Sequence, residues 1–365
     1  MSDDLRPQLL AHALTAWDTS EVDVRKALSM RLAVAFVGSA SSGKDSAIKA
    51  LFGIDFGEVS PIPGSTAEVR VAPLDRAGRV VVVNAPGFGD IRATVDRAAR
   101  DVLDALDVIV YLVNCEGGAT IDERRDLDAI RALDRPTLVV LNKIDLIRPA
   151  QRDEFVRATL AQLGVDTRDA VVAAFDPLPQ LADDAIGVSA VIAWIEGKLE
   201  ASGKELIFAK QVRNRVAACE PLLRAAARKA AMAGAIPVPG ADLAVVTAIQ
   251  VRLIRDIAAV FEVPVDRDVA LFIITEVLSG GVRGFVRWGV EALKAAGWVP
   301  GGQIAEAAIL GLSAAIAGAT TWGIGRAAME YFKNGRTLGG DGLRAVFDAA
   351  TQEYRERFVA SDKQP

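Results

Sequence analysis

The sequence has 365 residues, enough for about two domains of ordinary size, and its 51% apolar and 24% charged content excludes a disordered or fibrous chain. One histidine and two cysteines exclude multi-histidine zinc and di-iron centres and a disulfide framework, and fit a reducing cytosol. A formal charge of −5 argues against a broadly basic nucleic-acid binder. The start MSDDLRPQLL is acidic and lacks an apolar core with a small-residue cleavage site, so no signal peptide is expected. Mean hydropathy is +0.27, high for a soluble chain, and the excess lies in the C-terminal third.

Apolar positions from Leu9 to Leu32 recur at helical spacing and predict one or two amphipathic helices over residues 5–32. RLAVAFVG (31–38) is a β-branched run closed by glycine, the pattern of a strand buried on both faces. Further strands are predicted at 79–84, 108–114, 137–142 and 170–174, alternating with polar-faced helices, of which the last spans 185–199. This alternation predicts an α/β domain with a mainly parallel sheet in three layers. After Ser202-Gly203 the pattern becomes Ala-rich and helical up to Phe358. The breaks fall at IPVPG (236–240), Val263-Pro264, Gly280-Gly281 and 299–302. The organisation expected is an N-terminal helical segment (1–30), an α/β domain (31–202) and an all-α domain (203–365). The final helix is expected to use Asp341 as its cap and to bury Leu343, Val346, Phe347, Ala350, Tyr354 and Phe358.

The chemistry lies in the loops after the strands. GSASSGKDS, with Gly38, Ser39, Ala40, Ser41, Ser42, Gly43, Lys44, Asp45 and Ser46, stands between a buried strand and a helix, where a phosphate-binding loop belongs. Its glycines allow backbone N–H groups to turn toward phosphate oxygens, the helix N-terminus adds partial positive charge, and Lys44 reaches the terminal phosphates. The position after the lysine, normally a Ser or Thr on magnesium, is Asp45, with Ser46 one step later; by itself the loop could also be a plain Gly/Ser turn.

NKID (142–145) directly follows the apolar run TLVVL. There Asp145 can accept from both the ring N–H and the exocyclic amine of guanine, Lys143 can cover the base, and Asn142 can tie this loop to the phosphate loop. Adenine lacks that amine, so ATP should be disfavoured. NAPGFGD (84–90) follows the run RVVVV and resembles the DxxG box of small GTPases, with Gly87 sensing the γ-phosphate and Asn84 where the magnesium-shell Asp usually stands. SPIPGST (60–66) fits the first switch, with Thr66, or else Ser65, closing over magnesium; alone it reads as a Pro-Gly turn. Phe88 follows Gly87, so the water-orienting glutamine of Ras-like proteins is absent. Ser41, a partner protomer or a monovalent cation remain as ways of positioning water. Ala174 and Phe175 are the expected backbone contacts to guanine.

Together these boxes resemble the Era/TrmE-type branch of the translation-factor-class GTPases over residues 30–200, above all through PIPGST and NAPGFGD. The hydrophobic Phe88 is similar to the replacement known in that branch, and Ser41 matches the phosphate-loop serine of dynamin-like GTPases. The second half resembles the bacterial domain of unknown function that follows Era-like GTPase domains. The overall layout is similar to immunity-related GTPases, which act at membranes and form nucleotide-dependent dimers. The resemblance implies GTP/GDP binding with Mg2+, slow hydrolysis with catalytic positions at Ser41, Lys44, Thr66 and Gly87, and a metal shell from Asp45, Ser46, Thr66 and Asn84. It further implies a homodimer or larger self-assembly, a contact with a membrane surface, and a cytoplasmic location extending to the inner face of the membrane. No nucleic-acid partner is expected. Two rivals stand beside this reading: a scaffold that binds GTP or GDP without useful hydrolysis, and an RNA- or ribosome-directed GTPase.

Residues 307–325 are uncharged and long enough to span a bilayer core. Ala307, Gly311, Ala315, Ala319 and Gly323 form one small-residue ridge that suits close packing in lipid or in a protein core, and the weak apolar drive of Ala and Gly favours the core. Arg224, Arg228 and Lys229 precede an apolar loop and read as a solvated face or an anionic-lipid contact.

Overall fold

The computed structural model describes residues 5–55, 70–85, 105–235, 241–277 and 306–356. These divide into two compact units: one from Ala27 to Ala218, the other joining residues up to Lys26 to those from Cys219 onward.

The first unit is built on β1 (Leu32–Val37), β2 (Arg70–Pro73), β3 (Val80–Ala85), β4 (Val108–Asn114), β5 (Thr137–Asn142) and β6 (Ala170–Val172), in the sheet order β2-β3-β1-β4-β5-β6. All neighbouring pairs are parallel except β2 with β3, which is antiparallel. Every residue of β1 is buried, as a strand covered on both faces requires. On one face Ala35, Tyr111, Val113 and Leu141 pack against Leu127 and Ile130 of α3 (Ile121–Arg131) and against Leu160 and Leu163 of α4 (Arg152–Leu163). On the other face lie α2 (Lys44–Phe52), α5 (Val188–Leu199) and α6 (Glu205–Ala209). There Phe52 stands edge-on between Phe36 and Phe208, with centroid distances of 6.1 and 6.0 Å.

The expected α/β class is therefore present, and the strands start or end within two residues of their predicted bounds. Strand β2 was not expected, because RVAP is four residues long, ends in proline and is largely exposed at the sheet edge. Residues 203–218 stay with the sheet: Lys204 reaches Asp107 at 2.5 Å, and the Arg213 N–H donates to the Leu51 carbonyl at 2.7 Å.

In the second unit α1 (Leu5–Leu28) is one continuous helix that groups with α7 (Arg215–Gly234), α8 (Ala241–Val260), a helix over 267–277 (α9), α10 (Glu306–Lys333) and α11 (Gly340–Tyr354). The Arg255 guanidinium of α8 lies 3.5 Å over the Trp17 ring of α1 and donates to Glu21 at 3.4 Å. A cation over an indole face in a buried setting is worth about 2 kcal/mol. Helix α10 carries the uncharged segment, and its C-terminal half is buried. A Cβ at Gly323 would sit 2.5 Å from Phe347 Cδ2, so the small residue there admits the ring of α11. Gly311, also on the predicted ridge, is exposed, with nothing among the described residues within 4 Å of a Cβ placed there. Among the described residues no helix is long and apolar enough to cross a membrane.

One expectation about α11 is corrected. Its cap is Gly339, whose extended backbone accepts from the Leu343 N–H, while Asp341 lies inside the first turn and pairs with Arg344 at 3.1 Å. A carboxylate in the first turn still complements the helix dipole. Leu343, Phe347 and Ala350 are buried as expected, whereas Val346 and Tyr354 are half-buried. Phe358 lies outside the described residues.

Candidate nucleotide site

The site forms at the C-terminal ends of the parallel strands, the usual binding edge of an open α/β sheet. Register brings its parts together: Phe36 of β1, two residues before the phosphate loop, pairs with Asn84 of β3, and Asn114 of β4 pairs with Asn142 of β5.

Between β1 and α2 the loop turns through Gly38 (φ 151°), Ser41 (φ 66°) and Gly43 (φ 90°). A Cβ at Gly38 would lie 2.4 Å from the Leu112 carbonyl oxygen and one at Gly43 would lie 2.2 Å from Asn142 Nδ2, so both places require glycine. Lys44 is 4% exposed, and its ammonium donates to the carbonyls of Gly38 at 2.8 Å and Ser39 at 2.9 Å. An ammonium has three donors, so one remains for a phosphate oxygen. Burial pushes Lys44 down to about 8, and the neighbouring Asp45 carboxylate opposes that shift. The Ser42 hydroxyl is fully buried and has no hydrogen-bond partner among the described residues. Ser39, Ala40 and Ser41 are exposed at the loop's crest.

The second wall is NKID. Asn142 Nδ2 donates to the Ser42 carbonyl at 2.8 Å, and its Oδ1 accepts the Phe175 N–H at 3.3 Å, so one amide locks the phosphate loop to the Ala174-Phe175 segment. Asp145 is 7% exposed and accepts the Leu178 N–H at 3.3 Å; a carboxylate has about four lone-pair positions, which leaves acceptors for a base edge. Lys143 takes the left-handed conformation (φ 64°). The structure thus brings together Gly38 to Asp45, Asn142, Lys143, Asp145, Ala174 and Phe175.

At the metal end Asn84 Nδ2 donates to Asp45 Oδ1, which joins the end of β3 to the first turn of α2. The second Asp45 oxygen and the Asn84 amide oxygen are hard donors of the kind Mg2+ takes alongside nucleotide phosphates, so these residues fit that ion. Ser46 lines a cavity of about 940 Å3 together with Lys49, Phe175 and Arg213. Thr66, Ser65, Gly87 and Phe88 lie outside the described residues, as does all of SPIPGST.

Glu116 joins the site without a sequence motif to mark it. Its carboxylate accepts from Lys143 Nζ at 3.0 Å and from Asn114 Nδ2 at 3.2 Å, and the Lys143 contact holds it below the usual carboxylate range. It sits in the NCEGG turn after β4, and only the pairing of β4 with β5 puts it beside Lys143. Removing it as Glu116→Ala should weaken GTP binding about 2- to 5-fold, the range for a partly exposed ion pair. The loss should vanish when Lys143→Ala is already present, as a fluorescent-nucleotide titration of the four proteins would report. Cys115, pushed up to about 12 by burial, is a packed thiol and no nucleophile.

The sheet order, the phosphate loop and the NKID lock define the first unit as a P-loop GTPase domain. Comparison with known proteins agrees: residues 33–143 match the family described as 50S ribosome-binding GTPase, and residues 207–356 match a domain of unknown function, DUF697. The chain is 29% identical to a probable GTP-binding protein EngB of Gemmatimonas aurantiaca over 148 residues, 38% of this chain and 72% of that one. It is 28% identical to the GTPase Era of Aquifex aeolicus over 127 residues, 32% of this chain and 42% of that one. It is also 28% identical to magnetosome membrane protein 22 of Magnetospirillum gryphiswaldense over 158 residues, 43% of this chain and 71% of that one. The chain therefore spans less than half of the Era relative, and none of these relatives matches half of this chain.

Proposed function

We propose that this chain is a guanine-nucleotide switch, a slow GTPase whose nucleotide state is read by the helical unit as self-association or as contact with a membrane surface. The observation that carries the nucleotide part is the Asn142 lock, which sets Lys44 and the Asp145 carboxylate on one continuous rim. Lys44 binds the terminal phosphates, Asp145 reads the guanine edge, and Asp45 with Asn84, joined by Ser46 and Thr66, holds Mg2+, whose charge neutralises the phosphates. Slow turnover follows from Phe88 in the glutamine position. Ser41, left-handed and exposed at the loop crest, is the group nearest in type to a water-positioning residue. Thr66 and Gly87 would carry the switch. The likeness to a magnetosome membrane protein supports the membrane branch of this reading.

The test is GTP turnover by the full chain across a protein-concentration series, beside Lys44→Ala. Specific activity rising with concentration supports catalysis completed in a self-assembly. Turnover at the Lys44→Ala background despite tight GTP binding overturns the enzyme and leaves a nucleotide-locked scaffold. A second reading, an RNA-directed GTPase, draws on the family description as 50S ribosome-binding and on the Era relative. The net charge of −5 weighs against it, and salt-sensitive binding of ribosomal RNA by the full chain would favour it. Co-sedimentation of the full chain with anionic liposomes in the GTP state, and its loss in GDP, supports the membrane branch; equal recovery in both states contradicts it.

A further inference from the structure

We propose that Asp45 and Asn84 are an exchanged pair: the carboxylate of the nucleotide's magnesium site stands on the phosphate loop and its neutral partner at the end of β3, which makes guanine-nucleotide binding strictly dependent on a divalent cation. This rests on the nucleotide reading given above and adds to it the division of charge within the site.

The pair is joined by a hydrogen bond from Asn84 Nδ2 to Asp45 Oδ1. That bond needs one amide and one carboxylate. With an aspartate at both positions, two anions would face each other across the same contact; with a carboxylate at position 45, position 84 is left to a neutral donor. The strand register fixes the meeting, since Asn84 lies opposite Phe36, two residues before the phosphate loop. Asp45 also occupies the first turn of α2, whose partial positive charge is what attracts phosphate oxygens. Two anions would then share one helix end. With no carboxylate at either position nothing in the pair repels the nucleotide when metal is absent, whereas a carboxylate beside the phosphates repels it until a divalent cation lies between them. A simpler role for Asp45, pairing with the helix dipole alone, predicts no such coupling.

The experiment measures the Kd of N-methylanthraniloyl-GDP for the full chain with Mg2+ and with EDTA. The wild-type ratio of the two should be about 100-fold or more. In Asp45→Asn, which keeps the shape of the side chain, and in Asp45→Ser, the ratio should fall below about 10-fold, chiefly through tighter binding in EDTA. Adding Asn84→Asp to Asp45→Ser should restore it, and the electron paramagnetic resonance signal of protein-bound Mn2+·GDP should be lost and regained in the same order. Wild-type dependence retained in Asp45→Asn, or a double variant no better than Asp45→Ser, overturns the exchange. Wild-type binding that is equal with and without Mg2+ overturns it too while leaving the nucleotide reading intact; no guanine-nucleotide binding in either condition overturns that reading itself.

Discussion

Asp145→Asn is expected to weaken GTP binding by about 10²- to 10⁴-fold and to create binding of xanthosine triphosphate. The carboxylate is buried at the rim of the site and offers acceptors to the two N–H donors on the guanine edge. Charge-assisted hydrogen bonds are each worth about 1.5–3 kcal/mol, and two of them give the range stated. An asparagine turns one acceptor into a donor, which opposes the exocyclic amine of guanine and suits the carbonyl that xanthine carries in its place. The fold should survive, because the Asn amide oxygen can still accept the Leu178 N–H that Asp145 accepts now. Competition titrations with GTP, xanthosine triphosphate and ATP read the result, and an unchanged GTP affinity would remove Asp145 from the base site.

Gly43→Ala is the second large effect. At φ 90° an L side chain is strained, and the new Cβ would lie 2.2 Å from Asn142 Nδ2. The clash falls on the amide that bridges the Ser42 carbonyl and the Phe175 N–H, so the phosphate loop and the guanine loop should lose their common anchor. Affinity for GTP is expected to drop about 100-fold or more, the consequence of strain and a broken buried network together. Gly197→Ala is the control: among the described residues nothing lies within 4 Å of its Cβ inside α5, and it should bind nucleotide normally with slightly raised stability.

What could be read in the sequence, and what could not, divides along physical lines. β1, β4 and β5 were visible because strands buried on both faces must be continuous apolar runs, and the loops after them were visible because phosphate and base recognition demand glycines, lysine and aspartate at fixed spacing. β2 was hidden, since a four-residue edge strand has no burial pattern to advertise. Glu116 was hidden because its partner Lys143 lies on another strand and only sheet register joins them. The stacking of Arg255 on Trp17 joins residues far apart in the chain, so the sequence offered α1 as a separate segment while the structure groups it with the later helices. The uncharged run 307–325 was ambiguous for a different reason: small residues pack equally well in lipid and in a core, and only the rings and aliphatic side chains meeting α10 distinguish the two.

The rim formed by Lys44, Asn142 and Asp145 is expected to select a guanine nucleotide. Calorimetric titration of the full chain with GDP, GTP and ATP in Mg2+ tests it most directly. One site that binds GDP and GTP and rejects ATP by about 100-fold or more is expected; equal affinity for ATP and GTP, or no heat with either, would contradict that selection.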